Sequence, residues 1–176
     1  MNYCPDCAAP IEQRIPDDDN RLRAVCSHCG AVHYENPKLV LGTLPIWKNK
    51  ILLCKRAIVP RSGYWTLPAG FMELGESTTD GAHRETLEES GADVEMGPVF
   101  AIFDIPHVAQ VHIFFRAQMR SEALAPGPET TDARLFEIEE IPWDDLAFRS
   151  VHAALELFIE DQRLDRHLVH RQTILI

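Results

Sequence analysis

No stretch of this 176-residue chain stays apolar for the about 18 residues that crossing a bilayer requires, and its start, MNYCPDC, has no basic, apolar leader. Those absences set the expectation of a cytoplasmic protein with no membrane partner. Positive charge is also scarce: 17 Lys and Arg face 27 Asp and Glu, a formal net charge of −10. Such a surface repels phosphate backbones, which argues against nucleic acid as the main partner, although part of the negative charge falls in one short segment described below. Internal repeats and low-complexity tracts are missing too. With 45% hydrophobic residues, the chain can bury one proper core and a small appendage.

Cysteine is sparse, and four of the five lie near the start: Cys4-Pro5-Asp6-Cys7, then eighteen residues, then Cys26-Ser27-His28-Cys29. Paired knuckles at this spacing suit a structural zinc ion held by four thiolates. The rival reading, two disulfides, needs an oxidising compartment, and no export signal supports one. A metal with four thiolate ligands has no open position, so this zinc is expected to be structural, with His28 and His33 as bystanders. Residues 1–34 form this ribbon and hold too few large apolar side chains to fold without metal; residues 35–176 form the second domain. The fifth, Cys54, lies in the apolar run Ile51-Leu52-Leu53-Cys54 and reads as a small buried residue rather than a nucleophile.

Between Gly70 and Ala92 the chain reads GFMELGESTTDGAHRETLEESGA. Residues three and four apart share a helix face, so Glu85, Glu88 and Glu89 project from adjacent turns with Cβ atoms about 5–6 Å apart. Carboxylates so close repel unless a hard cation neutralises them, and Mg²⁺ combines a few carboxylates with water and phosphate oxygens. A merely solvated acidic helix would account for neither the two glycines nor the isolated Glu76 and Arg84. Ser77, Thr78 and Thr79 offer N-caps, Asp80 suits the first turn and Gly91 stops the helix, which is expected over about residues 79–90. Ahead of it, Tyr64–Pro68 reads as a short strand delivering Ala69 and Gly70, where a glycine lets the backbone approach a ligand.

Elsewhere, Lys38–Trp47 and Ile51–Arg56 read as a hairpin, and Val94–Ile105 and Gln110–Met119 as two more strands around Pro106-His107. Arg134–Ile138 is expected to be a last short strand, and Ser150–Arg163 a helix with Val151, Ala154, Leu155 and Phe158 on its buried stripe. The tail 166–176, apolar near Leu168, Ile174 and Ile176, suits either an added strand or a dimer arm.

The spacing of Gly70, Glu76, Arg84-Glu85, Glu88-Glu89 and Gly91 resembles the Nudix hydrolase box, with its aliphatic slots on Thr86 and Ala92. The resemblance runs from about residue 38 to 165 and implies an α/β fold: a Nudix α/β/α sandwich with a mixed sheet, here preceded by the zinc ribbon. It implies catalytic Mg²⁺ (or Mn²⁺) at Glu85, Glu88, Glu89 and the Ala69 carbonyl, with Arg84 and Glu76 orienting the glutamates. Gly70 and the fork of Arg56 would face the substrate. Glu129, with Asp132 behind it, would be a general base or extra ligand on the loop Ala125–Asp132, while His107 and His112 have no required role. Related Nudix ADP-ribose enzymes are commonly homodimers, and a homodimer is expected by that analogy.

The box encodes diphosphate chemistry and not the attached group. NADH and NAD-capped RNA pyrophosphatases also carry a zinc ribbon, but follow the box with SQPWPFPxS, which VEMGPVFAIFDIP at 94–106 does not match. The runs Asn36-Pro37-Lys38, Trp65–Gly70, Asp104-Ile105-Pro106 and Ala125–Glu129 resemble the zinc-ribbon enzymes related to plant plastid FAD and ADP-ribose pyrophosphatases. That likeness implies a small nucleotide substrate: FAD cut to FMN and AMP, or ADP-ribose cut to AMP and ribose 5-phosphate. The alternatives are the NADH or capped-RNA activity and a noncatalytic, nucleotide-sensing regulator. Metal analysis of the purified protein is expected to find about one zinc per chain, lost to a strong chelator. Substoichiometric zinc with four titratable thiols would remove the ribbon.

Overall fold

The computed structural model describes residues 1–175, and the chain divides into two compact units between Asn36 and Pro37. The first unit is a three-stranded antiparallel sheet in the order β1 (Ile11–Arg14), β2 (Arg23–Cys26), β3 (Val32–His33). Its buried apolar residues are Cys4, Val25 and Cys26, too little surface to support a fold without help from the sulfurs. Each cysteine pair closes a tight turn: Ala8 N–H donates to the Cys4 carbonyl at 2.8 Å and Gly30 N–H to the Cys26 carbonyl at 3.2 Å.

The second unit is built on an eight-stranded mixed sheet. Its elements are β4 (Lys38–Trp47), β5 (Lys50–Arg56), β6 (Trp65–Thr66), β7 (Ala69–Phe71), α1 (Thr78–Ser90), β8 (Val94–Ile105), β9 (Gln110–Met119), β10 (Thr130–Phe136), α2 (Arg149–Arg163) and β11 (His170–Thr173). The strand order is β10-β5-β4-β9-β8-β11, with β6 on β5 and β7 on β4. Among the described residues, β4 with β9 and β8 with β11 are the parallel strand pairs, and the others run antiparallel.

Both faces of the sheet are covered, which is why Ile51–Cys54 is apolar throughout instead of alternating. Successive residues point to opposite sides. Leu44 and Phe114 pack beneath Val151, Ala154, Leu155 and Phe158 of α2, whereas Leu41 and Phe115 pack with Ala82 of α1. The two helices therefore flank the sheet as the α/β/α reading expects. Helix α1 starts at Thr78, after Ser77, whose Oγ accepts the Asp80 N–H at 3.2 Å; it ends at Gly91, whose φ of 68° suits a residue without a Cβ. Thr86 fits its apolar slot because its hydroxyl is satisfied, donating to the Ala82 carbonyl at 2.7 Å and bonding the Thr43 hydroxyl at 2.6 Å.

One irregularity of the sheet prepares the site. The hairpin pairs only at Ile46 with Ile51 and Trp47 with Lys50; beyond that β4 takes β7 and β5 takes β6. Gly42 permits the split, since a Cβ there would come 2.6 Å from the Ala69 Cβ and 2.8 Å from the Phe114 ring. Into this fork runs Leu67–Gly70, carrying the backbone up to α1.

Two expectations change. The last short strand expected at Arg134–Ile138 is Thr130–Phe136, because β5 offers ladder partners back to Arg56, opposite Thr130, while the reciprocal caps of Glu137 and Glu140 end it in a short turn. The tail, open between strand and dimer arm, is a strand: β11 lies parallel to β8, His170 opposite Ala101 and Thr173 opposite Asp104. Of the apolar positions named there, Ile176 lies outside the described residues. Asp161 of α2 anchors the tail. It is 1% exposed, 2.7 Å from Arg116 Nη2 and 3.0 Å from His170 Nε2.

Burial alone would push the Asp161 carboxyl up; the His170 hydrogen bond and the charges of His170 and Arg116 outweigh it and hold it below its usual value of 3.8. The stabilisation is therefore fully present above that value and disappears as pH falls through the depressed folded value. Asp161→Ala strands the half-buried Arg116 guanidinium and is expected to cost about 2 kcal/mol in urea unfolding at pH 7. A loss within experimental error would show the cluster to be inert.

Candidate active site

Helix α1 presents its acids at the mouth of the β4/β5 fork, and one guanidinium organises them. Arg84 meets Glu76 through two parallel contacts, Nε to Oε2 and Nη2 to Oε1, both 3.0 Å. Its Nη1 reaches Glu85 Oε1 at 2.8 Å and Glu88 Oε2 at 3.0 Å, and Nη2 also donates to the Phe71 carbonyl at 3.2 Å. The Glu73 N–H adds a bond to Glu76 Oε1 at 2.7 Å. These partners, the Arg84 bond first, hold Glu76 below the usual carboxylate range, and Glu76 in turn raises Arg84.

Glu89, one turn beyond Glu85, is buried and tied to the sheet by the Ala69 N–H, which donates to its Oε2 at 3.1 Å. Burial pushes its carboxyl up to about 7; the Ala69 bond pulls it down and the Glu85 charge pushes it further up. Burial likewise raises Glu85. Gly70 leaves room beside them, because a Cβ at that position would push the Glu85 carboxylate from its place.

A cleft of about 1440 Å³ opens over these groups, lined by Ala69, Gly70, Arg84, Glu85, Glu88 and Glu89. Arg56 and Glu129 face it from the neighbouring strands. Arg56 ends β5 with its Nε on the Pro60 carbonyl at 2.9 Å and its guanidinium 5.1 Å above the Phe148 ring, leaving the fork to the cleft. Glu129 stands at the start of β10, fixed by the Ala57 N–H on its carbonyl at 2.8 Å, and its charge is felt at both Glu85 and Glu89. Asp132 turns instead to Arg134 at 2.6 Å.

The three box carboxylates are held apart by Arg84 and the Ala69 N–H. Glu76, Glu85 and Glu88 share one guanidinium and Glu89 has the Ala69 N–H, so these oxygen donors keep a net negative charge of the kind a hard divalent cation suits. The cysteines differ: the sulfurs of Cys4, Cys7, Cys26 and Cys29 all lie within 4.8 Å of one another, with Cys7 and Cys26 at 3.4 Å and Cys4 and Cys29 at 3.8 Å. These spacings exceed a disulfide bond of about 2.05 Å and suit four thiolates around zinc. N–H donation from Cys29, and then from His28, lowers the Cys26 thiol. His33, expected as a bystander, touches the cluster through Nε2, 3.4 Å from Cys4 Sγ.

Burial lowers His112 to about 4, so it does not titrate near neutrality, and both it and His107 line the cleft. Phe148, Trp143, Ser150 and Ile174 line it too, without any signal in sequence spacing.

The fold and the acidic helix define a Nudix domain. A family model described as the Nudix N-terminal zinc ribbon matches residues 2–35, and one described as the NUDIX domain matches residues 38–156. The chain belongs to the Nudix family of hydrolases, in its zinc-ribbon form. It is 29% identical over 147 residues to the NAD-capped RNA hydrolase NudC of Vibrio atlanticus, covering 81% of this chain and 51% of that protein. It thus spans about half the length of the first curated relatives it matches. With an ADP-ribose pyrophosphatase of Methanocaldococcus jannaschii it shares 29% identity over 62% of this chain and 67% of the relative. Among solved structures, a NUDIX hydrolase from Nitrosomonas europaea superposes with a TM-score of 0.93 at 43% identity over 99% of this chain and 100% of that one. An ADP-ribose pyrophosphatase from Streptococcus suis follows with a TM-score of 0.64 at 26% identity, over 78% of this chain and all of its own.

Relatives named for capped RNA correct the argument from net charge, which no longer sets nucleic acid aside. No helix among the described residues is long and apolar enough to cross a membrane.

Because Glu89 is raised from 4.5 to about 7, its contribution to folding is fully present below pH 4.5 and is lost as pH rises through 7. In magnesium-free buffer, Glu89→Gln is expected to gain up to about 3 kcal/mol over the native chain between pH 5 and pH 8. Parallel stability curves for the two proteins would contradict that assignment.

Proposed function

We propose that this hydrolase cleaves the pyrophosphate of a nucleoside diphosphate joined to another group, with FAD and ADP-ribose as the favoured substrates and Mg²⁺ or Mn²⁺ as cofactor. The observation carrying the reading is that Glu85, Glu88, Glu89, Glu129 and Arg56 line one cleft. Glu85, Glu88 and Glu89 would hold the cation, with the Ala69 carbonyl, which the likeness to Nudix enzymes adds. When bound, a divalent cation supplies neutralisation of the phosphate charge and makes water easier to deprotonate.

Each remaining step belongs to the chain. Arg84 and Glu76 orient Glu85 and Glu88, and Gly70 keeps the backbone close to the ligand. The Arg56 fork takes a phosphate oxygen. Water attacks one phosphorus of the anhydride, its proton passes to Glu89 or Glu129, and the P–O bond to the departing phosphate breaks.

The likeness to plastid-type FAD and ADP-ribose enzymes, the missing SQPWPFPxS stretch and the relatives named ADP-ribose pyrophosphatase support the favoured substrates. The relatives named NAD-capped RNA hydrolase favour a second reading, NADH or a capped RNA end. A cytoplasmic homodimer is carried over as part of the proposal.

The test supplies FAD, ADP-ribose, NADH and an NAD-capped oligonucleotide separately with Mg²⁺ and follows release of AMP, or of a 5′-monophosphate end. Faster cleavage of FAD or ADP-ribose is expected. NADH or capped RNA cut much faster than either overturns the choice of substrate. The double change Glu88→Gln, Glu89→Gln is expected to lower kcat about 100-fold or more with the fold retained, and undiminished turnover would contradict the assigned site.

A further inference from the structure

Away from the glutamates, the cleft ends on a wall that the box does not supply. Thr173 lies opposite Asp104, and the next residue, Ile174, donates its N–H to the Asp104 carbonyl at 2.8 Å. Ile174 is thereby level with Ile105, and both line the cleft. Arg149 Nη1 donates to the Leu175 carbonyl at 2.8 Å, pinning the tail to the first turn of α2. The NUDIX domain match stops at residue 156, so Ile174 lies outside the matched segment.

Beside the isoleucines lies a short polar relay. The His112 ring is buried, with Nδ1 3.2 Å from Ser150 Oγ and Nε2 3.0 Å from Gln110 Oε1. A neutral ring has one N–H: given by Nε2 to Gln110 Oε1, it leaves Nδ1 to accept from Ser150. Gln110 then keeps its amide N–H groups, which have no partner among the described residues, for the cleft it lines.

A wall of two isoleucines and an amide donor suits one kind of group. A terminal ribose, hydroxyl on every side, gains nothing from Ile105 and Ile174. A planar heterocycle buries its faces there and offers a ring carbonyl to the amide. The cleft of about 1440 Å³ also exceeds the roughly 300–1,000 Å³ of ordinary small-ligand sites.

We propose that this wall binds the second heterocycle of a dinucleotide, and that Ile174 and Gln110 set specificity for dinucleotides over nucleoside diphosphate sugars. The assignment rests on the pyrophosphatase reading of the carboxylate end and narrows its substrate class.

The experiment compares the native chain with Ile174→Asp and Gln110→Leu, using Ile174→Ala in place of Ile174→Asp if thermal melting shows that protein unfolded. KM and kcat are measured for FAD and ADP-ribose, and Kd for FAD by quenching of flavin fluorescence. Each variant is expected to raise KM and Kd for FAD about tenfold, with kcat and the ADP-ribose constants within about twofold. Equal losses for both substrates, or no change for FAD, overturn the wall. If neither substrate is cut, the pyrophosphatase reading fails by itself. Flavin quenching then decides: FAD binding weakened tenfold by the variants upholds the wall, and absent or unaltered binding overturns it.

Discussion

The guanidinium of Arg84 is the contact around which the active end of this molecule is arranged. It joins Glu76 from the loop before α1, Glu85 and Glu88 from the helix, and the Phe71 carbonyl at the end of β7. Without that cation the glutamates would repel one another and the loop would lose its grip on the helix. With it, their charge is focused along one edge. Glu89 lies beyond its reach, secured by the Ala69 N–H, and so retains a carboxyl raised by burial.

The sheet makes that edge usable. The fork between β4 and β5, opened at Gly42, carries Ala69 and Gly70 to the helix, and Gly70 leaves room for Glu85. The same sheet brings Arg56 and Glu129 in from the other side, and Phe148 at the start of α2 lies under Arg56. A rigid core, covered on both faces, thus holds a cleft whose charged end and apolar end come from different parts of the chain. The zinc ribbon solves a separate problem: with Val25 as its one fully buried aliphatic residue, it draws on four thiolates for stability.

Much of this was legible in the residues themselves, and what was legible was local. The caps at Ser77 and Gly91, the shared face of the glutamates and the stripe Val151, Ala154, Leu155, Phe158 follow from helical periodicity. The cysteine knuckles follow from spacing. What could not be read depends on pairing across long separations. Thr130 extends its strand because Arg56 waits opposite; the tail becomes β11 because β8 has a free edge and Asp161 a buried charge to satisfy. His112 meets Ser150 across 38 residues, and Ile174 reaches the cleft only through β11. Such contacts have no period and leave no signature in composition.

The central claim is that the acidic edge of α1 binds divalent metal for work on a diphosphate. It is tested most directly by crystals soaked in Mn²⁺ with a nonhydrolysable dinucleotide, using anomalous scattering to locate the metal. Manganese against Glu85, Glu88 or Glu89, with the ligand's phosphates beside it, is the expected result. Manganese elsewhere, or phosphates bound away from these carboxylates, would contradict the claim.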